Sequence, residues 1–159
     1  MSEIDYHVYM QKVDKNGQPL ENTERDIELS FEGLKYSMAE GLNDVGKAKN
    51  IYAETYADSD KTRVYIPQKI EHEATEVLLT LFFIGNSRQQ VYDSFNEYIM
   101  DGFHTFRDTV RNKVILFYVG NVVKINESKY CGSTPYLKVV YSLSNVYGQA
   151  FNKGSEPWL

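Results

Sequence analysis

The feature that constrains the fold most is a change in the spacing of apolar residues between positions 75 and 102. Thr75–Ile84 is an apolar run of strand length with apolar side chains for both faces, so we predict a strand buried on both sides. Ser87 and Gln90 then match a helix capping box, and Gly102 is a typical helix stop. Between them, helical spacing predicts one helix over about residues 87–101, with the apolar stripe Val91, Phe95, Tyr98 and Ile99.

Strand signals dominate the rest of the chain. Alternation of apolar and polar residues predicts strands at 4–13 and 27–31, and two further strands flank a polar turn at 58–61. Two long β-rich segments, 114–125 and 136–147, follow the helix. This order predicts an α+β protein, built as a mostly antiparallel β-sandwich or partly closed barrel on which the single α-helix packs.

The chain has 159 residues, 42% of them hydrophobic, and we predict a single domain over residues 1–159. Segment 151–159 carries Gly, Ser and Pro but ends in Trp158-Leu159, so it is expected either to dock on the surface or to form a flexible tail. No apolar run reaches the roughly 20 residues of a membrane helix. The acidic first residues lack the apolar region of a signal peptide, and a lone cysteine, Cys131, fits a reducing cytoplasm.

Residues 33–49 are the least regular part of the sequence. Gly33, Gly41 and Gly46 interrupt them, and the helix-like portion, 34–42, is short. A long irregular connection in a compact domain is usually functional or mobile. We therefore predict an irregular loop at about 33–49.

This loop contains a near match to a phosphate-binding loop. Residues 41–48, with the sequence GLNDVGKA, have the GxxxxGK spacing in which backbone amides and a lysine hold phosphate. Ala48 replaces the hydroxyl residue that would hold magnesium, and the following residues favour a strand over the required helix. A flexible glycine-rich loop is the better interpretation, and no cofactor is predicted.

Residues with catalytic or metal-binding chemistry form no motif. His7, His72 and His104 are far apart, and HxxxH and CxxC spacings are absent, so neither a metal site nor catalytic residues are predicted. The local cluster of His104, Arg107 and Asp108, just after the helix, would serve an enzyme if the three side chains met near one end of the sheet. We predict no enzyme and keep this cluster as the alternative.

The formal net charge is −5, and the sequence pI is near 5.2. An acidic chain lacks the basic surface with which nucleic-acid-binding proteins hold phosphates. Thirteen tyrosines suit half-buried sheet surfaces and also subunit interfaces, because the ring packs while the hydroxyl bonds. The composition therefore argues against nucleic-acid recognition and is compatible with protein assembly.

The order of elements resembles the tail-tube fold of bacteriophages. The similarity lies in a long loop after an early strand, one helix between sheet strands and a final hairpin. It is clearest over residues 74–148, with the run Phe106-Arg107-Asp108-Thr109 between helix and hairpin. Within that group the chain is similar to distal-tail and tail-tube proteins of long-tailed phages and prophages. The resemblance covers about half of the chain and rests on organisation rather than on a motif.

The resemblance implies a structural virion protein that assembles into a ring, commonly hexameric, beside neighbouring tail proteins and around DNA as passing cargo. It implies synthesis in the bacterial cytoplasm and a final place in the virion tail, without a membrane. The loop would then reach a neighbouring subunit through the oligomerisation residues Gly41, Asn43, Asp44, Lys47 and Lys49. A monomeric ligand-binding β domain, with its pocket beneath the helix, is the other alternative.

Overall fold

The computed structural model describes residues 7–49, 52–55, 62–65, 70–128 and 134–158. Cys131 and the predicted polar turn at 58–61 lie outside these residues. None of the helices within them is long and apolar enough to cross a membrane. The strands are β1 Val8–Lys12, β2 Arg25–Asp26, β3 Leu34–Glu40, β4 Ala48–Lys49, β5 Tyr52–Thr55, β6 Thr62–Tyr65, β7 Glu71–His72, β8 Thr75–Ile84, β9 His104–Asp108, β10 Lys113–Glu127, β11 Tyr136–Asn145 and β12 Phe151–Asn152, and the helices are α1 Ile27–Ser30 and α2 Arg88–Ile99.

Most of the strands belong to one antiparallel sheet. Its order is β2-β1-β9-β10-β11-β8-β3, and β12 pairs with the first residues of β10. Two small two-stranded sheets, β4-β7 and β5-β6, lie off this path. The hairpin of β10 and β11 carries two bulges, one between Val119 and Asn121 and one between Val122 and Lys124. The predicted α+β class, mostly antiparallel β with a packed helix, is confirmed.

The sheet is strongly curled. The rings of Tyr36 on β3 and Phe106 on β9 have centroids 6.1 Å apart, although three strands separate β9 from β3 in the sheet order. In a flat sheet these two strands would be roughly 19 Å apart, because neighbouring strands are about 4.8 Å apart. α1 contacts β1 and β2 at one end of the sheet and β3 at the other. The short helix therefore spans the opening of a barrel that is only partly closed.

The predicted helix over 87–101 is confirmed as α2. Its start is set by the backbone, because the Arg88 amide donates to the Gly85 carbonyl while the Ser87 side chain makes no capping hydrogen bond. The predicted capping box is therefore wrong. Gly102 follows the last turn with a φ of +77°, as expected of a helix stop.

Phe95 of α2 lies at the centre of the core. Its ring is 5.2 to 5.9 Å from the rings of Phe31, Phe83 and Tyr141. The inner face of β8, at positions 77, 79, 81 and 83, is fully buried against this cluster. The prediction that β8 is buried on both sides is wrong, since its outer face is only half-buried at Leu78, Phe82 and Ile84.

Residues 27–30 form one helical turn, α1, where alternation predicted a strand at 27–31. The Asp26 carboxylate caps this turn by accepting hydrogen bonds from the Glu28 and Leu29 amides. Ile27 is fully buried and Leu29 is 79% exposed, whereas in a strand both would lie on one face. The local cap therefore overrides the alternation.

The first half of the predicted irregular loop at 33–49 is a strand. β3 runs from residue 34 to 40 and pairs with β8. A bulge between Tyr36 and Met38 shifts the alternation by one residue, so Leu34 and Ala39 are both buried. The prediction of a helix-like segment at 34–42 is wrong, because the bulge conceals a strand's two-residue period.

The C-terminal segment docks on the outer face of β10. β12 pairs Phe151 with Val114, and Trp158 is only 6% exposed. Trp158 packs against Val114 and Leu116, and its indole meets the Phe151 ring edge-on at 5.9 Å. Of the two alternatives for segment 151–159, docking is the one observed up to Trp158.

Candidate interaction surface

A cleft of about 610 Å³ runs along β3, the strand at one end of the described sheet. One wall is formed by residues 36–40 of β3 and the turn that follows. The other includes Glu28 on α1 and Arg111 in the turn between β9 and β10. Glu28 reaches across, because its Oε1 accepts a hydrogen bond from the Tyr36 amide at 2.8 Å. Glu28 therefore occupies the edge of β3 at Tyr36.

The charge along this cleft is mainly negative. Among its described lining residues, Glu28, Glu40 and Asp44 carry carboxylates, against the single guanidinium of Arg111. Arg111 is partly neutralised, since its Nη1 lies 3.4 Å from Oδ2 of the buried Asp108. A partner that presents positive charge at this cleft would therefore be attracted.

The structure divides the five predicted oligomerisation residues between two places. Gly41, Asn43 and Asp44 belong to the turn after β3 and line the cleft. Lys47 and Lys49 lie beyond it, where β4 pairs with β7 and the Lys49 ammonium is 3.9 Å from the Glu71 carboxylate. The irregular part of the segment is thus short and tied to a strand at each end. Its role in oligomerisation stays a prediction.

Gly46 has a packing role that the phosphate-loop pattern does not require. Its amide donates to the Gly148 carbonyl at 2.8 Å, and a Cβ added at either glycine would overlap the Glu73 carbonyl oxygen. Ala48–Lys49, which follow, form β4 instead of the helix that a phosphate-binding loop needs. The interpretation against a phosphate-binding loop is therefore supported.

His104, Arg107 and Asp108 do not converge. Side chains alternate along β9, so Arg107 lies on the outer face, while His104 and Asp108 lie on the inner face about 13 Å apart along the strand. Arg107 is engaged elsewhere, with its Nη2 2.6 Å from the Glu24 carboxylate and its guanidinium over the Tyr9 ring. The alternative catalytic cluster is therefore wrong in its geometry.

His104 is a core residue. It is 0% exposed, and its ring lies 4.8 Å from that of Tyr98. Burial lowers the pKa of His104 to about 4, helped by the nearby Lys12 ammonium and opposed by the Asp101 carboxylate and the Gly102 carbonyl. The imidazole is therefore neutral at pH 7 and shielded from any dissolved substrate.

The position beneath α2, where a ligand-binding domain would have its pocket, is filled by the aromatic core around Phe95. A second cavity, of about 240 Å³, lies away from the helix and is lined in part by Lys49, His72 and Tyr147. The Nδ1 of His72 is 3.0 Å from the Gly46 carbonyl oxygen. In the part of the chain that the structure describes, no three His, Cys, Asp or Glu side chains are placed to hold a metal ion.

The two halves of β10 differ in their strand pairing and in their exposure to solvent. Residues 114–117 pair with β9, whereas within the described residues 118–127 pair only with β11. Most of this second half is exposed, including the apolar side chains of Tyr118 (42%), Val123 (52%) and Ile125 (49%). An exposed strand edge of this kind is a template for pairing with another strand.

Sequence reasoning missed the exposed edge of β10 and identified only the turn residues Gly41, Asn43 and Asp44 of the cleft. β9 begins at His104, which pairs with Phe117, so β9 leaves residues 118–127 without a partner on that side. The sequence pattern predicts no strand at residues 104–108. The cleft depends on β3, which the bulge concealed. The only local signal for the exposed edge of β10 is that most residues after Val123 are polar, in the run Lys124-Ile125-Asn126-Glu127.

Comparisons with known proteins give a weak likeness of fold. No protein-family model matches the chain, and no curated protein matches it. Among solved structures, it is similar to SPP1 Dit (gp 19.1), a paradigm of the hub adsorption apparatus in Gram-positive-infecting phages. The sequence identity is 9% and the TM-score 0.46, over 86% of this chain and 49% of that one. The chain thus spans about half the length of that protein, and a likeness at this level does not bear on function.

Proposed function

We propose that this chain is a non-enzymatic structural protein that assembles with copies of itself. The observation that carries the proposal is the second half of β10, ten residues with exposed Tyr118, Val123 and Ile125 and pairing described on one side only. Native proteins usually cover or blunt such an edge. Here the two bulges and Lys124 make the edge a poorer template for non-specific strand pairing. This favours pairing with one matching strand over indiscriminate aggregation.

The assembly we propose is a ring in the tail of a phage or prophage. The order of strand, helix, the run Phe106-Arg107-Asp108-Thr109 and two long strands, on which the resemblance to tail-tube and distal-tail proteins rests, runs from β8 to β11. In this proposal the ring is hexameric, its partners are neighbouring tail proteins, and the protein is made in the bacterial cytoplasm. DNA is passing cargo, since a net charge of −5 repels a polyanion and keeps it from sticking.

The mass of the purified protein in solution, measured by sedimentation over a wide concentration range, tests the proposal. We expect a mass that rises from the 18.4 kDa monomer to a fixed multiple and then stays constant, because a ring closes. A strict monomer at the highest concentration would contradict self-assembly. Unlimited growth would contradict the ring and indicate an open filament.

A further inference from the structure

We infer that two strand edges meet in the assembly, so that one sheet continues from subunit to subunit. One is the edge of β10 along residues 118–127 that does not pair with β11, and the other is the edge of β3 in the next copy that does not pair with β8. The inference rests on the proposed function, because it requires the chain to self-associate. It goes further by naming the two surfaces that are in contact. It is carried by strand direction, by charge and by the space beside β3.

Strand direction makes the two edges compatible. The segment β10-β11-β8-β3 is continuous in the sheet, and each neighbouring pair in it is antiparallel. The four strands therefore alternate, and the two at its ends run in opposite directions. A second copy rotated about an axis from which the strands are moderately tilted keeps their up-and-down alternation, so its β3 would lie antiparallel to the first copy's β10. This head-to-tail contact closes into a ring when the rotation closes.

The sheet register places opposite charges on one face of the two edges. Lys124 is opposite Val140, Val140 is opposite Thr80, and Thr80 is opposite Met38. Glu40 is the next residue on the Met38 side of β3, two positions along the strand. A stagger of two residues between the copies, which a closed ring accommodates by tilting its strands relative to the ring axis, would therefore bring the Lys124 ammonium beside the Glu40 carboxylate, a favourable cross-strand pair.

The surroundings of each edge strengthen this match. Glu28 and Asp44 add negative charge to the cleft beside Glu40, while Lys138 lies next to β10 on β11, opposite Asn126. Complementary charge of this kind steers two surfaces together and sets their register.

The cleft also has room for an incoming strand. Its volume is about 610 Å³, and Met38, 50% exposed, stands beside it. Since Glu28 already holds the Tyr36 amide, the incoming strand would lie along residues 38–44. Val123 and Ile125 of the partner would then lose contact with water, which favours association.

Charge reversal tests the assignment in the full chain. Lys124→Glu and Glu40→Lys each place like charges together, and we expect the concentration at half-assembly to rise roughly tenfold in each variant. The double variant restores the pair with the charges exchanged, so its assembly should return to near the wild-type concentration. Lys15→Glu, at an exposed lysine between β1 and β2, is the matched control and should change nothing.

Apolar contact is tested separately. Ile125→Lys should weaken assembly, whereas Leu20→Lys, at a similarly exposed leucine, should leave it unchanged. Amide hydrogen exchange of the wild type adds a local measurement, because pairing should slow exchange across residues 118–127 as the concentration rises. All of the substituted side chains are exposed, so circular dichroism should show an unchanged fold.

The outcomes separate the two proposals. A wild type that stays monomeric overturns both. A wild type that assembles while Lys124→Glu and Glu40→Lys do so equally well overturns the edge assignment and leaves self-assembly standing. An assembly that stops at a dimer and is weakened by Lys124→Glu alone also overturns the edge assignment. That result would indicate two β10 edges paired with each other. Rescue by the double variant supports the pairing of β10 with β3.

Discussion

Acidification should destabilise the fold through His104 more than through an exposed histidine. Its pKa is about 4 in the folded protein because the imidazole is buried, against the ordinary value near 6.5. In the unfolded chain the same imidazole gains its proton as the pH falls through 6.5. The unfolded state therefore binds the proton first, and stability is lost progressively from about pH 6.5 down to about pH 4.

The magnitude follows from the difference between the two pKa values. Each unit of difference corresponds to about 1.4 kcal/mol, so the full loss is roughly 3 kcal/mol below pH 4, of which about 2 kcal/mol falls between pH 7 and pH 5. The side chain is 0% exposed, so solvent screening does not reduce this contribution. Above pH 7 both states carry a neutral imidazole, and the contribution of His104 is constant.

The assay is urea denaturation at several pH values, compared with His104→Phe, which keeps an aromatic ring, although a larger one, and does not titrate. The variant should lose about 2 kcal/mol less stability than the wild type between pH 7 and pH 5, since carboxylate titration is common to both. Parallel pH profiles for the wild type and His104→Phe would refute the reasoning.

Two further substitutions test packing. Trp158→Ala should lower the free energy of unfolding by about 3 kcal/mol, because it empties the cluster on the outer face of β10; circular dichroism in urea measures this, and a loss below about 1 kcal/mol would show that the docked tail contributes little. Gly46→Ala should cost about 2 kcal/mol, because its Cβ would overlap the Glu73 carbonyl. Gly120→Ala, whose Cβ would be 3.5 Å from the Ser142 carbonyl oxygen, is the control and should stay within about 0.5 kcal/mol of the wild type.

Long periodic segments were predictable from the sequence, and short or irregular ones were not. α2 and β8 each carry enough regularly spaced apolar residues to show their period. α1 is a single turn fixed by the Asp26 carboxylate, and a four-residue helix has too few positions to show a helical period. β3 was missed because one bulge between Tyr36 and Met38 interrupts an otherwise regular strand.

The candidate sites were harder to predict because they depend on which strands are neighbours. The cluster of His104, Arg107 and Asp108 looked convergent as a local sequence, but strand alternation sends Arg107 to the opposite face. The cleft joins β3 to Glu28 and Arg111, which are far apart in the sequence and meet only because the sheet curls. Local pattern reading cannot supply such long-range pairings.

The contact of Gly46 and Gly148 with the Glu73 carbonyl bears on how long the folded state lasts. It joins three chain segments separated by long stretches of sequence, so it can form only after large loops have closed. Interactions completed late contribute little to the folding rate and act mainly by slowing unfolding. We therefore expect Gly46→Ala to accelerate unfolding in stopped-flow experiments while leaving refolding nearly unchanged, and slower refolding would show that the junction forms early. This pair of glycines would then lengthen the lifetime of the folded chain.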